Sequence, residues 1–142
     1  MKVYFINSVL DFGSTGKIVR DLANELKSNG HDIRIAYGRN KIDDEPDAFF
    51  IGNTFENAWH LLLSRLLGQH GLHSKRATQK LINDIKSYSP DVVHLHNIHG
   101  YYLNVPMLMT FLKKQKVKVL WTLHDAWAIS GSSAYFDYSG CK

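Results

Sequence analysis

Sulfur chemistry is nearly absent: the one cysteine, Cys141, excludes an intrachain disulfide and fits a reducing compartment, so the cytoplasm is the expected location. No apolar run reaches the roughly 20 residues that a membrane-spanning helix needs, and Met1 to Ile6 opens on a strand-like run without the charged region and apolar stretch of a signal peptide. Charge of one sign never gathers into a block. The 17 Lys and Arg and 13 Asp and Glu, for a formal charge of +4, are scattered. That pattern disfavours a nucleic-acid partner and leaves room for an anionic ligand. Internal repeats and low-complexity segments are also missing. What is present, 142 residues with 44% hydrophobic and 21% charged, suits one globular domain with a single sizeable core.

The chain alternates strand-like and helix-like segments. Val3 to Ile6 is a short apolar run, followed by a glycine-containing loop, Phe12-Gly13-Ser14-Thr15-Gly16-Lys17, and then by Ile18, Val19, Leu22, Ala23 and Leu26 at helical spacing. Asn29-Gly30 is a helix-stop signal, and Ile33 to Tyr37 resumes a strand, completing a βαβ unit whose strands are parallel by right-handed crossover. Gly38 to Pro46 reads as a surface loop before a brief strand at Phe49 to Ile51. Asn57 to Leu67 has helical periodicity, and Ser74 is the expected N-cap of a helix running to about Tyr88. After the Ser89-Pro90-Asp91 turn, Val92 to His96 is a buried strand, Met107 to Lys114 a helix and Val117 to Leu123 the last strand. The expected fold is α/β, a Rossmann-like doubly wound parallel sheet of order 3-2-1-4-5 with helices on both faces. Its ligand crevice would lie at the carboxyl ends of the strands, beside the first strand and the Val92 strand.

Three segments fall at that crevice. Gly13, Ser14, Thr15 and Gly16 can bring backbone N–H groups and a helix N-terminus to a phosphate, or can be a tight turn with a Ser or Thr cap. The segment is neither a P-loop, because Asp11 stands where a glycine is required, nor a complete GxGxxG. His94 and His96 alternate onto one strand face with His99 beyond, but a fourth metal ligand has no source. One histidine is then buried and hydrogen-bonded while His96 and Asn97 face the crevice as donors to ligand hydroxyls, or both histidines are structural. His124 and Asp125 directly follow a buried strand; Asp125 either orients an imidazole or caps the next turn. Trp59 to Gly68, with Arg65 nearby and Lys75-Arg76 following, reads as a helix covering the sheet, with contact to an anionic membrane surface as the second reading.

Taken together, Asn7-Ser8 with the glycine segment, Asn29-Gly30-His31, Pro90 to Asn97, His99 to Asn104, Thr122 to Trp127 and Ala134 to Tyr138 resemble the N-terminal domain of a GT-B-fold retaining glycosyltransferase of family four. The resemblance covers essentially the whole chain and points to the subgroup of capsule, exopolysaccharide and O-antigen assembly. It implies transfer of a sugar from a nucleotide-sugar donor to a glycan or lipid-linked acceptor, with no metal and no cofactor beyond that co-substrate. It places Gly13, Ser14, Thr15 and Gly16 against the donor diphosphate, His124 with Asp125 at the transferred sugar, and His96, Asn97 and Tyr101 on the acceptor side. Around Ala126, Ser132 and Ser133 the cysteines and histidine common in the subgroup are missing, so no role for those groups carries over. The donor-binding domain with its paired glutamates is also missing. The expectation is therefore an acceptor-side domain, residues 1–142, of a longer enzyme, inactive alone and cytoplasmic, with possible peripheral contact at the inner face of the plasma membrane. Two other readings stand beside it. A reductase of the NADP type would rely on Arg39, since no acid follows the second strand to hold a ribose. A non-catalytic scaffold module would pair with a separate donor-binding subunit.

Overall fold

The computed structural model describes residues 1–52, 74–99 and 102–130. Among them the order is β1 (Lys2–Val9), α1 (Gly13–Ser28), β2 (Asp32–Arg39), β3 (Ala48–Phe50), α2 (Lys75–Tyr88), β4 (Val92–Leu95), α3 (Val105–Gln115), β5 (Lys118–Trp121) and a single turn, α4 (Trp127–Ser130). All strand pairs are parallel and the sheet order is β3-β2-β1-β4-β5, the Rossmann-like arrangement expected from the alternation of elements. The helical segment expected at Asn57 to Leu67, the Trp59 to Gly68 stretch, Tyr101, Cys141 and the aromatic tail lie outside the described residues.

Strand alternation sorts the core into two layers. Tyr4, Ile6, Val93 and Leu95 point to one face, where α2 supplies Leu81, Ile82 and Ile85 and α3 supplies Leu108 and Leu112. Val3, Phe5, Ile33 and Ile35 point to the other, against Val19 and Ala23 of α1. The central strand β1 is thus buried on both faces, which is why its sequence is nearly continuous in apolar residues. A polar bond crosses the first layer: Asp84 of α2 receives Tyr4 Oη at 2.6 Å and two guanidinium bonds from Arg34 at 2.8 and 2.7 Å. One carboxylate so ties a helix to two strands, and burial together with that carboxylate pushes the Tyr4 phenol far above its ordinary range.

Boundaries moved for identifiable reasons. β1 runs three residues past Ile6, because Asn7 is fully buried inside it, its amide donating to Val9 O at 2.8 Å. β2 continues through Gly38 and Arg39, where a loop was expected. β3 is shifted one residue back, to Ala48–Phe50. Ser74 does precede α2, but it sits in the left-handed region at φ 61 and its side chain makes no capping bond. α3 begins two residues early because Asn104 caps it, its side chain accepting from Met107 N, with Pro106 in the first turn. β5 ends at Trp121, two residues short of the expected strand, and it is not the buried strand the sequence suggests: it is the edge strand of the sheet, with Lys118, Val119 and Leu120 exposed. Asn29-Gly30 closes α1 as the sequence indicates, with Gly30 at φ +80.

Candidate functional site at the carboxyl ends of the strands

Because β1, β4 and β5 are adjacent and parallel, the segments that follow them emerge side by side. The first is the start of α1. Gly13, Ser14, Thr15 and Gly16 are its first turn rather than a loop ahead of it. Asp11 at φ 57 and Gly13 at φ 64 turn the chain into the helix. Of the two readings of this segment, the turn with a Ser or Thr cap is not met: the N-cap residue is Phe12, which makes no side-chain capping bond, and the first turn holds no acidic residue. The opening N–H groups of a helix lack intrahelical partners, and among the described residues no side-chain hydrogen bond occupies them here, which leaves them open to an anion. The two glycines have different tasks. Gly13 and Ser14 are exposed, whereas Gly16 is buried, and a Cβ there would stand 3.1 Å from Asp11 N and 3.3 Å from Val9 Cγ2. Gly16 therefore lets the helix pack on the end of β1, while the exposed turn ahead of it is what a ligand can meet. Arg20, one turn further, is committed to Asp11 through bonds of 2.8 and 2.6 Å and to Glu45 at 3.1 Å. That guanidinium holds the Asp11 carboxyl below its ordinary range.

A histidine ladder occupies the second and third segments. On the sheet face that carries Phe5, His94 Nε2 bonds Thr122 Oγ1 at 2.8 Å, and His96 Nδ1 bonds His124 Nε2 at 2.9 Å. Both bonds join residues 28 apart, so one relation is repeated two residues on as the chain leaves the ends of β4 and β5. The His94 and His96 rings lie 4.2 Å apart, with Phe5 5.2 Å from the first. Burial pushes His94 below the ordinary imidazole range, with His124 adding to it. His96 is lowered to about 3 by burial first and by its two histidine neighbours second, so it is neutral at physiological pH.

This geometry corrects one expectation and divides another. His96 does not face the crevice as a donor to ligand hydroxyls: its side chain is enclosed, the residue being 2% exposed. Asn97 follows it, half-buried, with its N–H on Asn7 Oδ1 at 3.1 Å and its C=O accepting from Tyr102 Oη at 2.8 Å. Asp125 does orient an imidazole, but the imidazole is His99, whose Nε2 donates to Oδ2 at 2.7 Å. Its other oxygen accepts from Trp127 N at 3.0 Å, so Asp125 also caps the turn that follows. With both oxygens engaged, Asp125 pins the segment after β5 to the segment after β4. Between them lies a small cavity of about 10 Å³, the space of a single water, lined by His96, His99, His124 and Asp125 with Trp121 and Trp127. Among the described residues no group of three or more His, Cys, Asp or Glu is arranged to hold a metal ion.

Sequence reasoning missed Asn7, Thr122 and Tyr102 as parts of this site. A signal for Thr122 existed: His94-Leu-His96 and Thr122-Leu-His124 are both polar residues two apart at the ends of apolar runs, the period that puts them on one face. Asn7 acts through a backbone N–H 90 positions away and Tyr102 through a carbonyl five positions back, contacts for which periodicity offers no clue.

Residues 15–139 match the family described as Glycosyltransferase Family 4. Over 62 residues, 40% of this chain, the sequence is 37% identical to WcaC of Escherichia coli (strain K12), a protein named for a glycosyl transferase role in colanic acid biosynthesis. The aligned stretch spans 15% of that protein's length. The family match covers most of the chain, from Thr15 within the first turn of α1 through the segments after β4 and β5: the chain belongs to glycosyltransferase family 4.

Proposed function

We propose that this chain is the acceptor-side, N-terminal domain of a retaining, GT-B-type glycosyltransferase that moves a sugar from a nucleotide donor onto a glycan or lipid-linked acceptor in polysaccharide assembly. The observation that carries the reading is the meeting, at the carboxyl ends of β1, β4 and β5, of an uncapped helix N-terminus with the histidine ladder that ends in His124. The leaving group of such a reaction is a nucleoside diphosphate, and the turn of exposed Gly13 and Ser14 and half-buried Thr15 suits its developing negative charge. Gly16 serves the same site by packing, not by contact. His124, half-buried beside that turn's strand neighbour, is the group for the transferred sugar, and Asn97 with Tyr101 forms the acceptor side. A donor-binding domain completes the enzyme, and the isolated acceptor domain does not turn over. The work takes place in the cytoplasm, at the inner face of the plasma membrane when the acceptor is lipid-linked. No metal takes part.

The test is a transfer assay with the complete enzyme, radiolabelled nucleotide sugars of differing base and sugar, and a lipid extract from the source cells. Label should appear in a lipid-linked or oligosaccharide product with one donor, with retention at the anomeric carbon. Oxidation of a nicotinamide cofactor without any sugar transfer would contradict the reading and support a reductase.

A further inference from the structure

His96 is held more firmly than a core residue of its size requires. Its N–H donates to Ile6 O at 2.9 Å on the β1 side, and its C=O accepts from Trp121 Nε1 at 3.0 Å on the β5 side. Its ring is packed by His94 at 4.2 Å and Phe5 at 5.8 Å, and it lies 24° from parallel with the His124 ring, 5.2 Å away. One ring nitrogen meets His124; the other, Nε2, is buried with no hydrogen-bond partner among the described residues. That orphan atom fixes where the proton sits. A buried N–H without a partner is costlier and rarer than a buried lone pair without one. The ring of a neutral His96 therefore carries its hydrogen on Nδ1, and donates it to His124 Nε2. His124 Nε2 is then an acceptor, and the hydrogen of a neutral His124 is on Nδ1.

We propose that His96 is a positioning residue that locks the orientation and tautomer of His124, so that His124 meets the ligand with its Nδ1–H as a hydrogen-bond donor and not as a base. This rests on the reading of His124 as a sugar-facing group, but the proton placement stands on the geometry alone. The chemistry it selects for is a hydroxyl or other acceptor oxygen of the transferred sugar. Proton abstraction at this atom is not part of it. His94 supports the arrangement from behind, its own Nε2 being taken up by Thr122.

The experiment is ¹⁵N NMR of the complete enzyme with ring-labelled histidine, the His124 signals being assigned by their loss in His124→Gln. The wild-type spectrum should show His124 as a single Nδ1–H tautomer. A His124 that is an Nε2–H tautomer, or an averaged mixture, overturns the proposal without any variant of His96 having to fold. His96→Gln, whose amide can still donate to His124 Nε2, should keep the tautomer and most of the turnover. His96→Phe should release it and lower kcat about tenfold or more with donor KM nearly unchanged, the behaviour of a misplaced catalytic group. An unchanged His124 tautomer in folded His96→Phe also overturns it. If the tautomer is as stated and no sugar is transferred, the assignment of function fails while the proton placement holds.

Discussion

His124→Ala in the complete enzyme should lower kcat for sugar transfer by about 10² to 10³, the loss seen when one preorganised donor is removed from a charged transition state. The imidazole leaves β5 by three residues, is half-buried, and is held from behind by His96 Nδ1 at 2.9 Å, so its bond-making atom occupies a fixed place before substrate arrives. Little else depends on it. His124 belongs to neither core layer, and water can take its place against His96 in the variant. The melting temperature should therefore stay within a few degrees of wild type while initial rates at saturating donor collapse. Transfer at the wild-type rate by a folded variant would remove His124 from the mechanism.

Gly38→Ala should act in the opposite way, through stability. A Cβ on Gly38 would lie 2.0 Å from Tyr102 Cδ2, 2.1 Å from Cγ and 2.5 Å from Cβ, distances no packed atoms adopt. Tyr102 cannot swing aside cheaply, since it is fully buried in the layer with α2 and α3 and its hydroxyl donates to Asn97 O. Overpacking of this kind costs about 3 kcal/mol, at the upper end of the usual range, or about a 10 °C fall in melting temperature for a domain of this size. Displacing Tyr102 also withdraws its bond from Asn97, so transfer should fall even where the variant remains folded. A melting temperature within about 2 °C of wild type would show that the Tyr102 ring has somewhere else to go.

The contrast between those two residues shows how far the sequence could be read. His124 follows an apolar run, and a titratable residue at the carboxyl end of a parallel strand is conspicuous without any structure. Gly38 looks like the start of a polar loop, Gly-Arg-Asn-Lys, because the reason for a glycine there is an aromatic ring 64 positions further on. The strand order followed from the spacing of apolar runs and the handedness of crossovers, which are local or nearly so. Strand ends followed less well. Asn7 ended the expected β1 because a polar residue normally leaves a strand, yet it stays inside by bonding Val9 O and the Asn97 N–H. The pairing within the site was legible to the same degree. That His94, His96, His124 and Asp125 meet was implied by topology; that Asp125 takes His99, leaving His124 to His96, depends on the path of the loops after β4 and β5. Burial decided the rest, since a histidine enclosed between two strands reads in sequence like one at their rim.

Whether a nucleoside diphosphate sits at the carboxyl ends of β1, β4 and β5 is decided by hydrogen exchange of the complete enzyme with and without saturating donor nucleotide. Exchange should slow in segments 10–18, 94–99 and 121–127, most at the opening amides of α1, where Gly13, Ser14 and Thr15 would gain an anion as partner. Unchanged exchange in all three segments while the nucleotide is bound would contradict this placement, and would move the site to another surface of the protein.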